Sequence, residues 1–318
     1  MPTPFRTIKQ SRFAPGGSAS NPDDFDASGD IALLERLSEL LHACSPMALA
    51  FSGGLDSRFL AQMAYRLAPE GVRIRLFHIR GPHVQWAESA DALTWAGARG
   101  FKLTLVSLNP LAIPEVRAND KFRCYHCKRF IFTTLREASS SHPAFAGQAP
   151  VLCDGTNLSD WNDYRPGRRA LEELDVRSPL AEAGLGKDDI RRLAARIGLD
   201  RPDQHARPCL LTRFAYGLPP TLEALAALET AENVVDGLLA AHTDPVPEFR
   251  LRFVAGPETI GSDGASVPLR AYRTELHVGA ELPDILIRRL LDAAAKQGLA
   301  VPRLRVLAQV SGHYDRPV

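Results

Sequence analysis

The sequence predicts an α/β fold in which a Rossmann-like parallel sheet is followed by a second, smaller α+β domain. Short apolar runs alternate with helical patterns along the first part of the chain, which is typical of a parallel sheet covered on both faces. A glycine- and serine-rich loop follows the first apolar run directly. Because the chain has 318 residues and one core stops growing at roughly 250 to 300 residues, we expect two domains.

The elements of the parallel sheet follow one another in order. Helical spacing over 30–41 leads into an apolar run over 47–51, which is predicted to be a buried strand. A helix that begins near Ser57 and a strand over 73–79 complete the first β-α-β unit. The remaining predicted elements of this domain are a helix over 86–99, a strand over 103–108, a helix over 121–138, a strand over 151–153 and a helix over 187–197.

The C-terminal part is predicted to be a small α+β domain. Thr221 can cap a long helix that extends through Leu239, and the alternation over 249–253 is typical of a strand. Three more segments follow, namely strands over 271–278 and 303–310 and a helix over 284–297. We therefore predict a loose arm over 1–28, a first domain over 29–206 and a smaller domain over 207–318.

Composition and charge limit the function classes. The chain carries 38 Lys and Arg against 37 Asp and Glu, so it lacks the positive field with which a general nucleic-acid-binding protein gathers phosphates. No basic region precedes an apolar stretch at the N-terminus, and no apolar run approaches bilayer length. We therefore expect a cytoplasmic protein with a small-molecule substrate and without a nucleic-acid or membrane partner. The sequence leaves open whether it forms a homo-oligomer.

A predicted phosphate-binding loop follows the first strand and consists of Ser52, Gly53, Gly54, Leu55, Asp56 and Ser57. The two glycines let the backbone approach a polyphosphate, the two serines add hydroxyl donors, and the helix N-terminus supplies unpaired N–H groups. A carboxylate beside phosphates indicates a Mg²⁺ ion between them. The loop lacks the lysine of a Gly-x-x-x-x-Gly-Lys-Ser/Thr motif, so we do not expect a γ-phosphate transferase. A tight turn capped by serine is the alternative.

The loop resembles the pyrophosphate loop of N-type ATP pyrophosphatases, which implies ATP cleavage between the α- and β-phosphates and adenylation of an acceptor. Three further segments resemble the LarE family, the ATP-dependent sulfur transferases of nickel-pincer nucleotide biosynthesis. They are Arg-Cys-Tyr-His-Cys-Lys over 123–128, the stretch over 154–180 that begins Asp-Gly-Thr-Asn, and Arg-Pro-Cys-Leu-Leu-Thr-Arg over 207–213. The resemblance implies a substrate carboxylate on pyridinium-3,5-biscarboxylic acid mononucleotide, with ATP and Mg²⁺ as cofactors.

Cys209 is the candidate nucleophile. A thiolate is the most nucleophilic side chain, and the neighbouring Arg207 and Arg213 could lower the pKa of Cys209. A small apolar residue buried in a turn is the alternative. The resemblance implies that the Cys209 thiolate displaces AMP from the adenylated carboxylate. Cleavage of its Cβ–S bond would then leave a thiocarboxylate on the substrate and dehydroalanine on the protein.

Cys124 and Cys127 form a Cys-x-x-Cys pair, which is half of a metal site. Together with Cys209 they could supply three thiolates to a [4Fe-4S] cluster and leave one iron open. The resemblance extends to sulfur transferases that carry an external sulfide on such an iron. A zinc site that includes His126 and a reduced structural pair are the alternatives. The cluster and the sacrificial cysteine stay equally open at this point.

Acidic and amide side chains follow the predicted strand over 151–153, where they could hold Mg²⁺ or the ribose. They are Asp154, Asn157, Asp160 and Asp163. Solvation of a loop is the alternative for each of them taken singly.

Arg250 and Arg252 are two residues apart on a predicted strand, so both guanidinium groups should share one face and could clamp a phosphate. A solvated strand face is the alternative. The resemblance associates this pair with the phosphate of a mononucleotide substrate, adds Arg213 as a further phosphate contact and places Glu258 near a family carboxylate.

The leading hypothesis is thus an ATP-dependent sulfur transferase that acts on a pyridinium mononucleotide. A related thiolase that acts on another small molecule, such as a purine carbonyl, is one alternative. A nucleotide-binding regulatory protein without turnover is another.

Overall fold

The computed structural model describes residues 27–67, 72–162, 166–204, 208–256 and 268–310, together with residue 314. The chain divides into two compact units that interleave along the sequence. The first unit consists of 1–80, 86–108 and 128–206, and the second consists of 81–85, 109–127 and 207–318. The predicted arm lies outside the described residues except for its last two, with which the first helix begins.

The helices and strands follow in chain order: α1 (Ala27–Ala43), β1 (Met47–Ala50), α2 (Leu55–Leu67), β2 (Ile74–Arg80), α3 (Trp86–Ala98), β3 (Leu103–Ser107), α4 (Pro114–Arg117), α5 (Arg123–Ser140), β4 (Val151–Cys153), α6 (Leu158–Asn162), α7 (Pro166–Glu173), α8 (Pro179–Glu182), α9 (Lys187–Arg196), α10 (Leu222–His242), β5 (Phe249–Ala255), β6 (Arg273–Val278), α11 (Asp284–Ala295) and β7 (Arg303–Val306). The four short helices α4, α6, α7 and α8 were not predicted from the sequence.

The first unit contains a four-stranded sheet in the order β3-β2-β1-β4, and every pair in it is parallel. The α/β class and the parallel sheet predicted from the sequence are confirmed. The chain adds β2 and β3 on one side of β1 and then returns to add β4 on the other side. The strand order therefore reverses between β1 and β4, which is where open parallel sheets bind ligands at the carboxyl ends of their strands.

β1 is buried on both faces, which explains its continuous apolar run. Met47 and Leu49 pack in a core with residues of α1, α2 and α9. Ala48 belongs to a second core with residues of α5, as expected for side chains that alternate across a strand. This double coverage holds the end of β1, and with it the loop that follows, in a defined position.

The second unit contains a separate mixed sheet in the order β5-β6-β7, in which β5 and β6 are antiparallel and β6 and β7 are parallel. The hydroxyl of Thr221 accepts a hydrogen bond from Ala224 N at 3.1 Å, so it caps α10 as predicted. Leu228, Val235 and Leu239 of this helix are fully buried. None of the described helices combines the length and apolar character needed to cross a membrane.

Candidate functional site

At one position, the loop between β1 and α2 has a backbone conformation that requires glycine. Gly53 has a φ of +81°, in the left-handed region. A Cβ atom there would lie 2.8 Å from the Cβ of Ala92 in α3. Since real Cβ atoms do not approach so closely, a larger residue would displace either the loop or the helix. The glycine predicted to let the backbone approach a ligand is also required for packing.

The two serine hydroxyls order this loop from within. Ser57 Oγ accepts a hydrogen bond from Gly53 N at 3.1 Å and donates one to Gly54 O at 3.0 Å. Ser52 Oγ accepts from Gly54 N at 3.2 Å, and Ser52 itself is exposed. The loop is therefore preformed, with one hydroxyl buried beneath it and one facing solvent.

Asp56 is paired with a lysine from a distant part of the chain. Lys187 Nζ lies 2.9 Å from both carboxylate oxygens of Asp56, and Asn157 Nδ2 donates to Oδ2 at 3.2 Å. The structure thus brings two predicted nucleotide-binding residues, Asp56 and Asn157, into contact. Sequence reasoning missed Lys187, because no local pattern relates the first residue of α9 to a loop 131 residues before it.

Asp154 organises the segment after β4. Its Oδ1 accepts from Thr156 N at 3.1 Å and from Ser178 Oγ at 2.7 Å, while Oδ2 accepts from the Thr156 hydroxyl. A Cβ atom on Gly155 would lie 3.0 Å from Ser57 N, so this segment touches the start of α2. The ends of β1 and β4 therefore meet at the point where the strand order reverses.

The three remaining acidic candidates are not placed in contact with the loop by the described residues. Asp160 lies in α6, and its backbone N donates to Asn157 Oδ1 at 3.2 Å, so the pair starts this short helix. Asp163 and Glu258 lie outside the described residues.

Cys209 lies in the second unit, half-buried, immediately before a short 3₁₀ turn over Leu210–Arg213. Its carbonyl accepts from Thr212 N at 3.0 Å and from Thr212 Oγ1 at 2.8 Å. Burial raises the pKa of the Cys209 thiol, and a neighbouring Cys124 thiolate raises it further. The charges of Arg123 and Arg213 act in the opposite direction and lower this pKa. Burial thus favours the neutral thiol of Cys209, whereas the charges of Arg123 and Arg213 favour its thiolate form.

Arg123 ties the first turn of α5 to the cysteine turn. It is buried, and its Nη1 donates to Leu211 O at 2.9 Å and to Asn119. Its Nη2 lies 3.7 Å from Cys124 Sγ. The Cys-x-x-Cys helix and the Cys209 turn therefore belong to one hydrogen-bonded assembly.

The structure describes all five cysteines, and none of them is in a disulfide. Cys44 and Cys153 are buried in the core of the first unit, where Cys153 Sγ donates to Val151 O at 3.8 Å. The three predicted cluster ligands, Cys124, Cys127 and Cys209, all belong to the second unit. In the part of the chain that is described, however, no group of three or more His, Cys, Asp or Glu side chains is arranged to hold a metal ion. The [4Fe-4S] cluster stays a prediction that iron and sulfide must test.

Arg250 and Arg252 are both buried, so the alternative of a solvated strand face is wrong. Arg252 donates to His277 Nδ1 at 3.2 Å, to Thr212 O at 2.9 Å and to Val310 O at 2.8 Å. Burial lowers the pKa of Arg252 to about 10, which leaves the group cationic at neutral pH. Both strand faces are covered here, because residues around 212 and 310 close over the arginine side.

A buried acid that sequence reasoning missed supports the cysteine turn. Glu232 accepts from Arg213 Nε at 2.8 Å and from Nη2 at 3.0 Å, while Arg213 Nη1 donates to Pro208 O at 3.0 Å. A signal was present in the sequence, since Glu232 falls on the stripe of α10 that also carries Leu228 and Val235. A carboxylate on an apolar stripe indicates a buried partner.

Comparison with models of protein families finds no match for the chain. The chain is 36% identical over 200 residues to an uncharacterized protein of Synechocystis sp., covering 63% of this chain and 72% of that protein. It is 30% identical over 186 residues to an uncharacterized protein of Methanocaldococcus jannaschii, covering 58% and 67%. It is 29% identical over 207 residues to the pyridinium-3,5-bisthiocarboxylic acid mononucleotide synthase of Lactiplantibacillus plantarum, covering 65% and 71%. The chain therefore belongs to one family with the Synechocystis and Methanocaldococcus proteins and is a distant homologue of a LarE-type synthase.

Proposed function

We propose that the protein is an ATP-dependent sulfur transferase that adenylates a carboxylate of pyridinium-3,5-biscarboxylic acid mononucleotide and inserts sulfur from Cys209. The observation that carries this proposal is that Arg123 and Arg213 both donate to backbone carbonyls of the Cys209 turn, from where their charges lower the pKa of the Cys209 thiol. The name of the Lactiplantibacillus relative supports the substrate class, since a bisthiocarboxylic acid is the product of replacing carboxylate oxygen by sulfur.

The nucleotide loop supports the activation step. The exposed Ser52 hydroxyl and the N-terminus of α2 offer donors for phosphate oxygens. Mg²⁺ in proteins is held by one or two carboxylates together with phosphates and water, and Asp56 is the carboxylate that fits this position. Attack of the substrate carboxylate on the α-phosphate would release pyrophosphate and leave an acyl adenylate.

The cysteine turn supports the sulfur step. The Cys209 thiol loses its proton and attacks the acyl carbon, so a C–S bond forms while the C–O bond to AMP breaks and AMP leaves with the electron pair. Removal of the Cα proton of Cys209 then breaks its Cβ–S bond. The thiocarboxylate leaves with that electron pair, and dehydroalanine remains in the chain. Arg123 and Arg213 stabilise the thiolate before attack.

Three guanidinium groups of the second unit, those of Arg213, Arg250 and Arg252, are proposed to bind the substrate phosphate. Burial lowers the pKa of Arg252, Tyr314 and Glu232 raise it, and the nearby charges of Arg213 and Arg250 lower it. A bound phosphate would add a further negative charge that favours the cationic form of Arg252. Hydrogen bonds from guanidinium to phosphate are among the stronger ones in proteins.

The test combines product analysis with intact mass after a single turnover. We expect AMP and pyrophosphate from ATP, and a chain lighter by one H₂S at Cys209. Cys209→Ala should still release pyrophosphate but form no thiocarboxylate, whereas the control Cys44→Ala, in the core of the first unit, should form it. ADP as the product would contradict adenylation.

The same experiment separates the alternatives. A brown protein after anaerobic purification with iron and sulfide, bleached by Cys124→Ser or Cys127→Ser and of unchanged mass after turnover, would indicate the cluster mechanism. Thiolation of a purine carbonyl in place of the pyridinium carboxylate would indicate the related thiolase. ATP binding without pyrophosphate release from any acceptor would indicate a regulatory protein.

A further inference from the structure

We propose that His277 is a positioning residue for the substrate: its Nδ1 holds the Arg252 guanidinium in the orientation in which that group binds the phosphate of the mononucleotide. This inference rests on the proposed function, because it takes Arg252 as a phosphate contact.

His277 lies on the same face of the three-stranded sheet as the two arginines of β5. In the antiparallel register between β5 and β6, His277 stands directly opposite Arg250, and Glu275 stands opposite Arg252. His277 is thus the diagonal neighbour of Arg252, at a spacing that a long side chain can bridge. The histidine is fully buried. The sheet itself therefore sets the position of the imidazole relative to both guanidinium groups.

The hydrogen bonds of His277 define its tautomer. Arg252 Nε, which can only donate, lies 3.2 Å from His277 Nδ1, so this ring nitrogen accepts. His277 Nε2 lies 2.9 Å from Glu275 Oε2 and donates to it. Burial raises the pKa of Glu275, but the hydrogen bonds from His277 and Arg305 lower it below its ordinary value, which favours an ionised acceptor. The imidazole is therefore neutral, with its proton on Nε2 and the lone pair of Nδ1 directed at Arg252.

The Arg252 guanidinium is held at all three of its nitrogens. Besides the contact of Nε with His277, Nη1 donates to Thr212 O at 2.9 Å and Nη2 donates to Val310 O at 2.8 Å. Each terminal nitrogen carries two N–H groups, and one on each is not used by these described partners. Because the guanidinium is planar, the bond at Nε sets the plane in which these two N–H groups point towards a phosphate.

The same guanidinium connects the phosphate contact to the sulfur site. Thr212 lies in the 3₁₀ turn after Cys209, and its backbone N and its hydroxyl both donate to Cys209 O. The carbonyl of Thr212 accepts from Arg252. A phosphate bound by Arg252 is thereby tied to the turn that carries the thiol. His277 thus acts through Arg252 on the placement of the substrate and not by contact with the reacting atoms.

Equilibrium binding of two probes, measured by calorimetry, tests this assignment. The probes are pyridinium-3,5-biscarboxylic acid mononucleotide and the corresponding nucleoside, which lacks the phosphate. His277→Gln can still reach Glu275 but has no acceptor in place of Nδ1. Its affinity for the mononucleotide should fall about three- to tenfold, as expected for the loss of one hydrogen bond. Its affinity for the nucleoside should stay unchanged, because the nucleoside offers no phosphate to Arg252.

Two further variants are matched controls. His277→Asn can place its amide oxygen where Nδ1 lies, so it should retain most of the affinity for the mononucleotide. His242→Gln makes the same His-to-Gln change at an exposed position of the same unit and should bind both probes like the unaltered protein. In turnover, His277→Gln should raise the KM for the mononucleotide more than it lowers kcat, since it weakens binding of a part of the substrate that does not react.

A measurement on the unaltered protein keeps the test decisive if the His277 variants do not fold. Nitrogen-15 NMR of the histidine rings should show the neutral form of His277 with its proton on Nε2 at neutral pH. A cationic ring, or a proton on Nδ1, would overturn the inference, because Nδ1 could not then accept from Arg252.

The binding results separate this inference from the proposed function. Equal losses of mononucleotide and nucleoside affinity in His277→Gln, or no loss in either, would overturn the role of His277 and leave the proposed substrate in place. An equal loss of mononucleotide affinity in His277→Asn and His277→Gln would also overturn it. If the unaltered protein bound no mononucleotide, the proposed function itself would fail, and this inference with it.

Discussion

Removal of the Glu232 carboxylate should destabilise the second unit and loosen the turn that carries Cys209. Glu232 is 3% exposed and accepts four hydrogen bonds. Two come from Arg213, one from Leu251 N at 3.0 Å and one from Gln85 Nε2 at 2.8 Å. The carboxylate thus joins α10, β5 and the cysteine turn within one unit.

The expected loss of stability depends on which groups each replacement of Glu232 leaves unpaired. Glu232→Ala leaves the Arg213 charge buried without its carboxylate, which costs about 3 to 5 kcal/mol. Since a typical protein is stable by only about 5 to 15 kcal/mol, we expect little folded protein from this variant. Glu232→Gln retains an acceptor and the side-chain size but not the charge. Its cost should be about 1.5 to 3 kcal/mol, or a fall in Tm of about 3 to 12 °C.

Thermal denaturation followed by circular dichroism is the assay, and α10 offers a matched control. Asp236→Asn makes the same carboxylate-to-amide change at an exposed position of that helix and should stay within about 0.5 kcal/mol of the unaltered protein. If Glu232→Gln and Asp236→Asn had the same Tm, the reasoning would be refuted, because the ion pair with Arg213 would then contribute nothing measurable to stability.

Three further predictions concern other sites. Gly53→Ala should destabilise the fold by about 1 to 3 kcal/mol and weaken ATP binding, because the new Cβ would lie 2.8 Å from the Cβ of Ala92 in α3. Gly97→Ala, also in α3, is the control: it has open space around it and should stabilise the fold by about 0.5 to 1 kcal/mol. Thermal denaturation of the two variants measures the difference. Burial lowers the pKa of His78 in the folded protein below its ordinary value of 6.5. As the pH falls, the imidazole of His78 is therefore protonated in the unfolded chain before it is protonated in the folded one. The contribution of neutral His78 to stability should therefore be fully present above about pH 6.5 and be lost as the pH falls below that value. Thermal denaturation on both sides of pH 6.5 should show a smaller loss of Tm in His78→Gln than in the unaltered protein. Replacing both Arg250 and Arg252 by Ala should raise the KM for the mononucleotide by about tenfold or more with the KM for ATP unchanged, and a loss confined to ATP would exclude them from the substrate site.

Local patterns were enough to predict the strands, the longer helices and the loop. The apolar run over 47–51 and the helical spacing after Ser57 predicted β1 and α2, because side chains repeat with the period of the element that buries them. The glycines of the loop and the Thr221 cap were predicted from local requirements as well. A left-handed backbone conformation favours glycine, and the unpaired N–H groups at the start of a helix favour a side chain that can accept a hydrogen bond.

The tertiary structure alone decided which charges meet. Lys187 reaches Asp56 across 131 positions of sequence, and no periodicity encodes such a pair. The alternation over 249–253 correctly placed Arg250 and Arg252 on one strand, but a two-residue period does not reveal what covers each face. Here the backbone carbonyls of Thr212 and Val310 cover the arginine side. Local periodicity reports which residues are buried, whereas the topology decides which charged side chains meet. The sequence by itself therefore determined the strands, the longer helices and the loop, and the folded chain determined their ionic partners.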